Sequence, residues 1–191
     1  MNPQHRELLA SDNWRQTLEE LALPFALGDR SYADLGDDVL ELGPGPGLTT
    51  DLLRVQVPWL TAVELCADMA ETLRERLTGT NVEVVHADAT AMPFESERFT
   101  GAASFTMLHH VPTAERQDQV LGEALRVLRP GGLLVVNDSM ASDDLAAFHV
   151  GDVYCPVDPH GLAHRLIAVG FIDVEVRTSP FAWACHARRP A

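Results

Sequence analysis

Three glycines at alternate positions, Gly43, Gly45 and Gly47, directly follow a short apolar run that contains the acidic residue Glu41. Because glycine has no Cβ, the chain can turn tightly there and a ligand can lie directly against the backbone. A helical pattern begins at residue 48, and the junction of a strand with its following helix is where open α/β sheets form ligand pockets. The segment therefore predicts a nucleotide-like ligand at the first strand-to-helix crossover.

The spacing of the glycines disfavours a dinucleotide. In the G-x-G-x-x-G pattern of dinucleotide-binding proteins the third glycine would fall at position 48, which is Leu48. Glu64 ends the second apolar run, and a carboxylate about 20 residues beyond such glycines can accept hydrogen bonds from both ribose hydroxyls. Asp88 follows the third run. These acids predict a ligand that carries several hydrogen-bond donors.

Two adjacent histidines, His109 and His110, follow the fourth apolar run. Histidine titrates near neutral pH, so either residue could act as a general base. The alternative is that the pair caps the strand and packs beneath the ligand. We expect no metal site here, because adjacent residues on a strand point to opposite faces of the sheet.

The elements that must position these residues alternate short apolar runs with helical patterns. This alternation predicts βαβ units and a parallel sheet. A Thr-Ser-Pro turn joins the last two runs and indicates a hairpin. The predicted strands cover residues 39–42, 60–65, 82–86, 100–105, 133–137, 171–177 and 181–186, and the predicted helices cover residues 48–56, 67–78, 113–128 and 159–169.

The remaining segments are less regular. Residues 4–23 predict an amphipathic helix, and a connector follows. Aromatic residues of this region, Trp14, Phe25 and Tyr32, could form a lid over the site or pack the helix on the sheet. Residues 139–158 show no clear periodicity, and a loop of this length is often functional. We expect one domain over 1–191, with the helix and connector in 1–35 and the core in 36–191.

Composition excludes several classes of function. The net charge of −14 opposes non-specific binding to nucleic acid. All 14 basic residues are arginine, so the chain has neither a lysine for a Schiff base nor a Walker-type lysine. No apolar run is long enough for a membrane span, and the N-terminal residues lack a signal-peptide pattern. Three dispersed cysteines favour a reducing cytoplasm. We expect a monomer or homodimer without nucleic-acid or membrane partners.

Taken together, the motifs resemble those of the class I S-adenosylmethionine (SAM)-dependent methyltransferases. The glycine loop is similar to their first motif, E-x-G-x-G-x-G. The family motif D-x-S-x-x-M resembles residues 64–69, with Glu in place of Asp and Cys in place of Ser. The end of the family motif A-x-x-L-P-F resembles residues 91–94. The family's Leu-Arg-Pro-Gly-Gly turn matches residues 128–132. The resemblance covers most of the chain. It implies a Rossmann-like, doubly wound α/β sheet of seven strands, mostly parallel with an antiparallel C-terminal strand, and helices on both faces.

The resemblance also implies SAM as the cofactor. Glu41 would help to hold the ammonium group of SAM, Met69 would pack on the adenine, and Asp88 would accept the adenine amino group. Residues 104–111, which include both histidines, resemble the family segment that lines the methyl-transfer face. The cofactor-binding residues that the resemblance implies are Glu41, Gly43, Gly45, Gly47, Glu64, Leu65, Met69, Asp88, Ala89, Ser104 and Phe105.

The function that follows is in-line transfer of the SAM methyl group to a small-molecule acceptor. A sulfonium methyl group is already activated, so the protein mainly has to align the acceptor. One alternative is a catalytically silent SAM-binding protein that serves as a partner subunit. A nicotinamide-dependent oxidoreductase is a third reading, which Leu48 disfavours.

Overall fold

A computed structural model describes residues 2, 7–9 and 11–191 of the chain. Its strands are β1 (Asp38–Leu42), β2 (Trp59–Glu64), β3 (Val82–His86), β4 (Phe99–Phe105), β5 (Leu128–Ser139), β6 (Ile172–Thr178) and β7 (Ala182–Arg188). They form one sheet in the order β3-β2-β1-β4-β5-β7-β6. Neighbours from β3 to β5 pair in parallel, and β7 runs antiparallel between β5 and β6. The predicted seven-stranded α/β fold is therefore confirmed.

The helices flank this sheet, and several of them begin at a polar cap. Thr113 accepts a hydrogen bond from the Arg116 N–H and starts the fifth α-helix, a capping arrangement that stabilises a helix N-terminus. None of the helices among the described residues is both long and apolar enough to cross a membrane. The α-helices are α1 (Asp12–Thr17), α2 (Leu23–Leu27), α3 (Leu48–Leu53), α4 (Ala67–Arg76), α5 (Ala114–Val127), α6 (Asp143–Phe148) and α7 (Pro159–Val169).

The N-terminal helix extends further than the sequence predicts. A π-helical turn, Leu18–Ala22, joins α1 to α2, so the described helical region continues to residue 27 rather than 23. Pro24 does not end it: this proline lies in the first turn of α2, directly after the π-helical turn. Residues 4–6 and 10 of the predicted helix lie outside the described residues.

Side chains alternate between the two faces of the sheet and divide the core. Leu40 and Val136 belong to the cluster that contains the apolar side chains of α5 and α7. Val39 and Val135 face the other way, towards the N-terminal helices and Leu53 of α3. Strand residues two apart share a face, so this alternation decides which residues at the strand ends reach the same side.

The largest differences from the prediction concern the start of β5 and the segment 139–158. Strand β5 begins at Leu128 and not at 133. The Gly131 N–H donates to the Arg189 carbonyl, and the Arg189 N–H donates to the Gly132 carbonyl. These hydrogen bonds extend the pairing of the two chain segments through the expected turn. The segment 139–158 contains helix α6, which the sequence pattern does not predict. Six residues are too few to show a helical period, although Ser142 caps the helix.

Candidate active site

The glycine loop connects β1 to α3 and lies at the carboxyl edge of the sheet. All three glycines have left-handed backbone angles, with φ of 68°, 54° and 90° at Gly43, Gly45 and Gly47. The Gly43 N–H donates to the Val63 carbonyl at 2.9 Å, which ties the start of the loop to β2. A Cβ atom built on Gly45 would meet no other atom within 4 Å. The backbone of Gly45 is therefore bare towards open space.

That open space is a cavity of about 330 Å³ above the carboxyl ends of β1 to β4. Its position agrees with the rule that ligands of open α/β sheets bind outside the carboxyl ends of the strands. The structure brings eight of the eleven predicted cofactor-binding residues to its wall: Gly43, Gly45, Glu64, Leu65, Met69, Asp88, Ala89 and Phe105.

Glu64 joins the glycine loop to the end of β2. Its Oε2 accepts the Gly45 N–H at 3.0 Å, and its Oε1 accepts the Cys66 N–H at 2.8 Å. The side chain is buried yet lies on the cavity wall. Each carboxylate oxygen can accept a second hydrogen bond, so Glu64 can position the loop and still accept a ligand hydroxyl.

Asp88 lies in the loop after β3 and is held from two sides. Its Oδ1 accepts both the Thr90 N–H at 2.8 Å and the Thr90 hydroxyl at 2.7 Å, and its Oδ2 accepts from the Arg116 guanidinium at 2.8 Å. The backbone hydrogen bond from Thr90, with the help of Arg116, lowers the pKa of Asp88 below its usual value. The carboxylate therefore stays ionised and fixed at the cavity wall.

Glu41 does not line the cavity, which corrects the expectation that it contacts the ligand directly. Its two carboxylate oxygens accept hydrogen bonds from the hydroxyls of Thr49 and Thr50, the latter at 2.7 Å, in the first turn of α3. Glu41 is 1% exposed. It lies on the face of β1 that packs beneath α3, so it supports the loop from below.

The burial of Glu41 predicts a dependence of stability on pH. Desolvation raises its pKa from 4.5 to about 7, against the lowering effect of the two threonine hydroxyls. Because the folded chain binds this proton more tightly, the free energy of unfolding falls as the pH rises from about 4.5 to about 7. We expect Glu41→Gln to remove this fall, on the order of 2–3 kcal/mol, in urea unfolding measured from pH 5 to pH 8. The control is Glu97→Gln at an exposed site, and equal pH slopes for Glu41→Gln and the unmodified chain would contradict the assignment.

Gly47 and Ser104 also lie outside the cavity wall. A Cβ atom on Gly47 would lie 2.4 Å from the Leu73 side chain, so this glycine allows α3 to pack closely on α4. Ser104 is 1% exposed and shares the face of Leu42 and Val136. The next strand residue, Phe105, points to the other face and lines the cavity.

The two histidines are not on a strand. They lie in a 3₁₀ turn, Leu108–His110, that follows β4, and their ring centroids are 4.1 Å apart. The premise that they point to opposite faces of the sheet is therefore wrong. His109 is buried with its Nδ1 atom 2.6 Å from Asp138 Oδ1, whereas His110 lines the cavity.

The cavity wall contains residues that the sequence analysis singled out and others that it missed. Trp14, which could form a lid or pack the helix on the sheet, lies on the wall, whereas Tyr32 packs in the core against the far side of the sheet. Thr106, Met107 and Val111 line the cavity beyond the end of β4. The wall residues that sequence reasoning missed include Leu9, Leu18, Leu48 and Val153. Apolar spacing in the N-terminal helix was the available signal for Leu9 and Leu18, but it cannot tell a core contact from a cavity wall.

Comparison with known proteins agrees with this geometry. Residues 40–136, just over half of the chain, match the family model of the methyltransferase domain. A demethylmenaquinone methyltransferase from Clavibacter sepedonicus is 35% identical over 102 residues, which cover 53% of this chain and 40% of that protein. The ubiquinone/menaquinone biosynthesis C-methyltransferase UbiE from Hahella chejuensis is 32% identical over 133 residues, covering 66% and 52% respectively. The chain thus spans about half the length of the curated relatives it matches, or less.

A solved structure shows the same fold over the whole chain. The SAM-dependent methyltransferase from Aquifex aeolicus has a TM-score of 0.72 and 18% sequence identity, and the match covers 99% of both chains. The matched family region begins in β1 and ends in β5, so it contains the glycine loop, Glu64, Asp88 and the histidine turn. On these grounds the chain belongs to the methyltransferase domain family.

Proposed function

We propose that the protein transfers the methyl group of SAM to a small-molecule acceptor. The observation that carries this proposal is the single cavity in which the glycine loop, Glu64, Asp88 and Phe105 meet, although they come from four separate segments. SAM is a cation with a ribose and an adenine. The cavity offers bare backbone, two carboxylates and an apolar wall at places that suit these parts.

The residues fit SAM in a definite order along the sheet. The backbone at Gly45 leaves room for the methionine portion, and Glu64 can accept the ribose hydroxyls. Met69 and Leu65 provide an apolar surface for the adenine, between Glu64 and the Asp88 loop. The order follows the strands β1, β2 and β3.

The acceptor side of the cavity is supported by residues beyond β4 and by the N-terminal helix. Thr106, Met107 and His110 line the cavity together with Trp14 and Leu18. Because the methyl group is already activated by the sulfonium charge, the protein's main task is alignment of the acceptor, which can supply several kcal/mol of rate acceleration. Of the two histidines in the 3₁₀ turn, only His110 lines the cavity.

The acceptor of the relatives guides the choice of a first substrate. Two of them are named for quinone biosynthesis, and one of these is a C-methyltransferase. The mostly apolar wall around Trp14 and Met107 suits a molecule with an aromatic ring. We propose a small aromatic acceptor, with ring-carbon methylation as the first reaction to test.

The experiment combines binding and turnover. Calorimetric titration with SAM, S-adenosylhomocysteine and NAD is expected to show binding of the first two only. Radiolabelled methyl transfer is then measured to a soluble naphthohydroquinone and to a small-metabolite extract. Binding of SAM with no transfer to any acceptor would favour the silent partner subunit. Failure to bind SAM would contradict the proposed cofactor site. The nicotinamide alternative has no support from the family assignment.

A further inference from the structure

A cluster of three histidines, His109, His110 and His149, lies beside the cavity, and the SAM site proposed above does not use it. His109 and His110 form part of the 3₁₀ turn, and His149 is the C-cap of α6. The ring centroids are 4.1 Å apart for His109 and His110, 5.0 Å for His109 and His149, and 5.2 Å for His110 and His149. One ligand atom from each ring lies within 4.8 Å of the other two.

Each ring points its Nδ1 atom at an oxygen that can only accept a hydrogen bond. Nδ1 must therefore carry the proton, and the lone pair belongs to Nε2. All three Nε2 atoms are shielded from solvent. The pairs are His109 with Asp138 Oδ1 at 2.6 Å, His110 with the Val153 carbonyl at 3.2 Å, and His149 with the Leu145 carbonyl at 2.6 Å.

This pattern is the one that metal-binding histidines show. Such a residue almost always donates its second ring N–H to a carboxylate or a backbone carbonyl, which fixes the ring and its tautomer. Here all three rings satisfy that requirement. The Nε2 atom of His109 is buried and has no hydrogen-bond partner among the described residues. Leaving a buried acceptor unsatisfied costs about 1–3 kcal/mol, and a cation at the centre of the cluster would remove this cost.

Asp138 is rigidly placed for its part in the arrangement. This carboxylate at the end of β5 is 1% exposed. Its Oδ2 accepts the backbone N–H of His109 at 3.0 Å, and its Oδ1 accepts the backbone N–H of Ser139 at 2.8 Å. Asp138 therefore holds both the turn and the ring of His109, as a carboxylate behind a metal-bound histidine does.

We propose that His109, His110 and His149 bind one divalent ion of the Zn²⁺ type through their Nε2 atoms. Imidazole ligands suit zinc and the other late first-row metals, whereas Mg²⁺ and Ca²⁺ prefer oxygen. Zinc–nitrogen bonds of about 2.0–2.1 Å require small rotations that draw the rings together. The ion occupies the lone pairs that a general base needs, so this role replaces the catalytic-base interpretation of His109 and His110.

Three histidines leave a fourth coordination position for zinc. His110 and Val153 also line the cavity, so the cluster adjoins it. An oxygen atom of a hydroxyl, phenol or carboxylate group, or a water molecule, has the chemistry to fill the fourth position. The metal site stands on the histidine geometry and does not depend on methyl transfer.

The test measures metal binding directly on protein from which any oligohistidine tag has been removed. Chelator-stripped protein is titrated with Zn²⁺ in competition with a chromophoric chelator, and with Co²⁺ while its visible absorption is recorded. We expect one equivalent to bind, with the intense visible bands of four-coordinate Co²⁺. His149→Ala should lower the Zn²⁺ affinity at least about 100-fold, and Asp138→Asn by about 10- to 100-fold.

The matched control is His160→Ala, because His160 is exposed and makes its own Nδ1 contact with Asp158 at 3.0 Å, outside the cluster. It should bind Zn²⁺ like the unmodified chain. SAM titration of every variant reports whether the fold and the cofactor site are intact. Equal Zn²⁺ affinities for His149→Ala and His160→Ala, or no one-equivalent binding by the unmodified chain, would overturn the proposal. Zinc binding without SAM binding would leave it standing and reject only the cofactor assignment.

Discussion

Gly45→Val is expected to weaken SAM binding by more than about 100-fold, which corresponds to at least about 2.7 kcal/mol of binding free energy. The Cβ position of Gly45 points into open space above the loop, and Gly45 lines the cavity. A valine side chain would therefore occupy volume that the methionine portion of SAM needs. Calorimetric titration of the folded variant with SAM measures the loss.

The control must separate this steric effect from backbone strain. Gly45 has φ of 54°, and a β-branched residue in that region costs about 1–3 kcal/mol of stability. Gly79 also has a left-handed φ, 80°, and open space at its Cβ position, but it lies in the turn after α4, away from the cavity. Gly79→Val should lose similar stability and keep its SAM affinity. If both variants bind SAM normally, the loop does not contact the cofactor.

The sheet could be predicted from the sequence because each buried strand is a short apolar run between polar turns. Parallel strands buried on both faces give this pattern in its clearest form. The position of β7 between β5 and β6 is different, because it depends on pairing between distant segments. The family resemblance implies that the C-terminal strand is antiparallel, and the structure confirms this.

The histidine turn shows where residue patterns fail. The predicted strand ends at Phe105, as β4 does, but the residue pattern does not show that Thr106 adopts φ of 50° and that the chain then turns into a 3₁₀ helix. His149 lies 39 positions beyond His110, in a segment with no visible period. Contacts of this kind arise from tertiary packing, so the cluster could be found only in the folded chain.

Glu41 and Glu64 look alike in sequence, since each lies at or near the end of a buried strand, yet the structure gives them different tasks. Glu41 is covered by α3 and accepts hydrogen bonds from two hydroxyls. Its burial raises its pKa to about 7, although these hydrogen bonds lower it. Glu64 reaches the cavity and bonds to two backbone N–H groups. The difference follows from what lies above each strand end, and the identity of the residue does not show it. Glu64 is therefore the acid to change when SAM recognition is tested.

Glu64→Gln is expected to weaken SAM binding by about 10- to 100-fold and to lower the free energy of unfolding by about 1–3 kcal/mol. The two oxygens of Glu64 accept the N–H groups of Gly45 and Cys66. A glutamine of the same shape must point its NH₂ group at one of these donors, so one buried N–H loses its acceptor. The loop is loosened and the ribose loses a charged acceptor at the same time, so affinity and stability should fall together.

The matched change is Glu83→Gln on the neighbouring strand β3. Glu83 is exposed and pairs with Arg98 at 2.8 Å, and an exposed ion pair contributes about 0–1 kcal/mol to stability. SAM titration and urea unfolding of both variants separate the effect of removing a charge from the effect of breaking the two backbone hydrogen bonds. A Glu64→Gln chain that is destabilised but keeps its SAM affinity would assign Glu64 to loop support alone, and the ribose would need another partner. Loss of SAM affinity to the same extent in Glu83→Gln would instead point to a general electrostatic effect of the acidic surface on the cationic ligand.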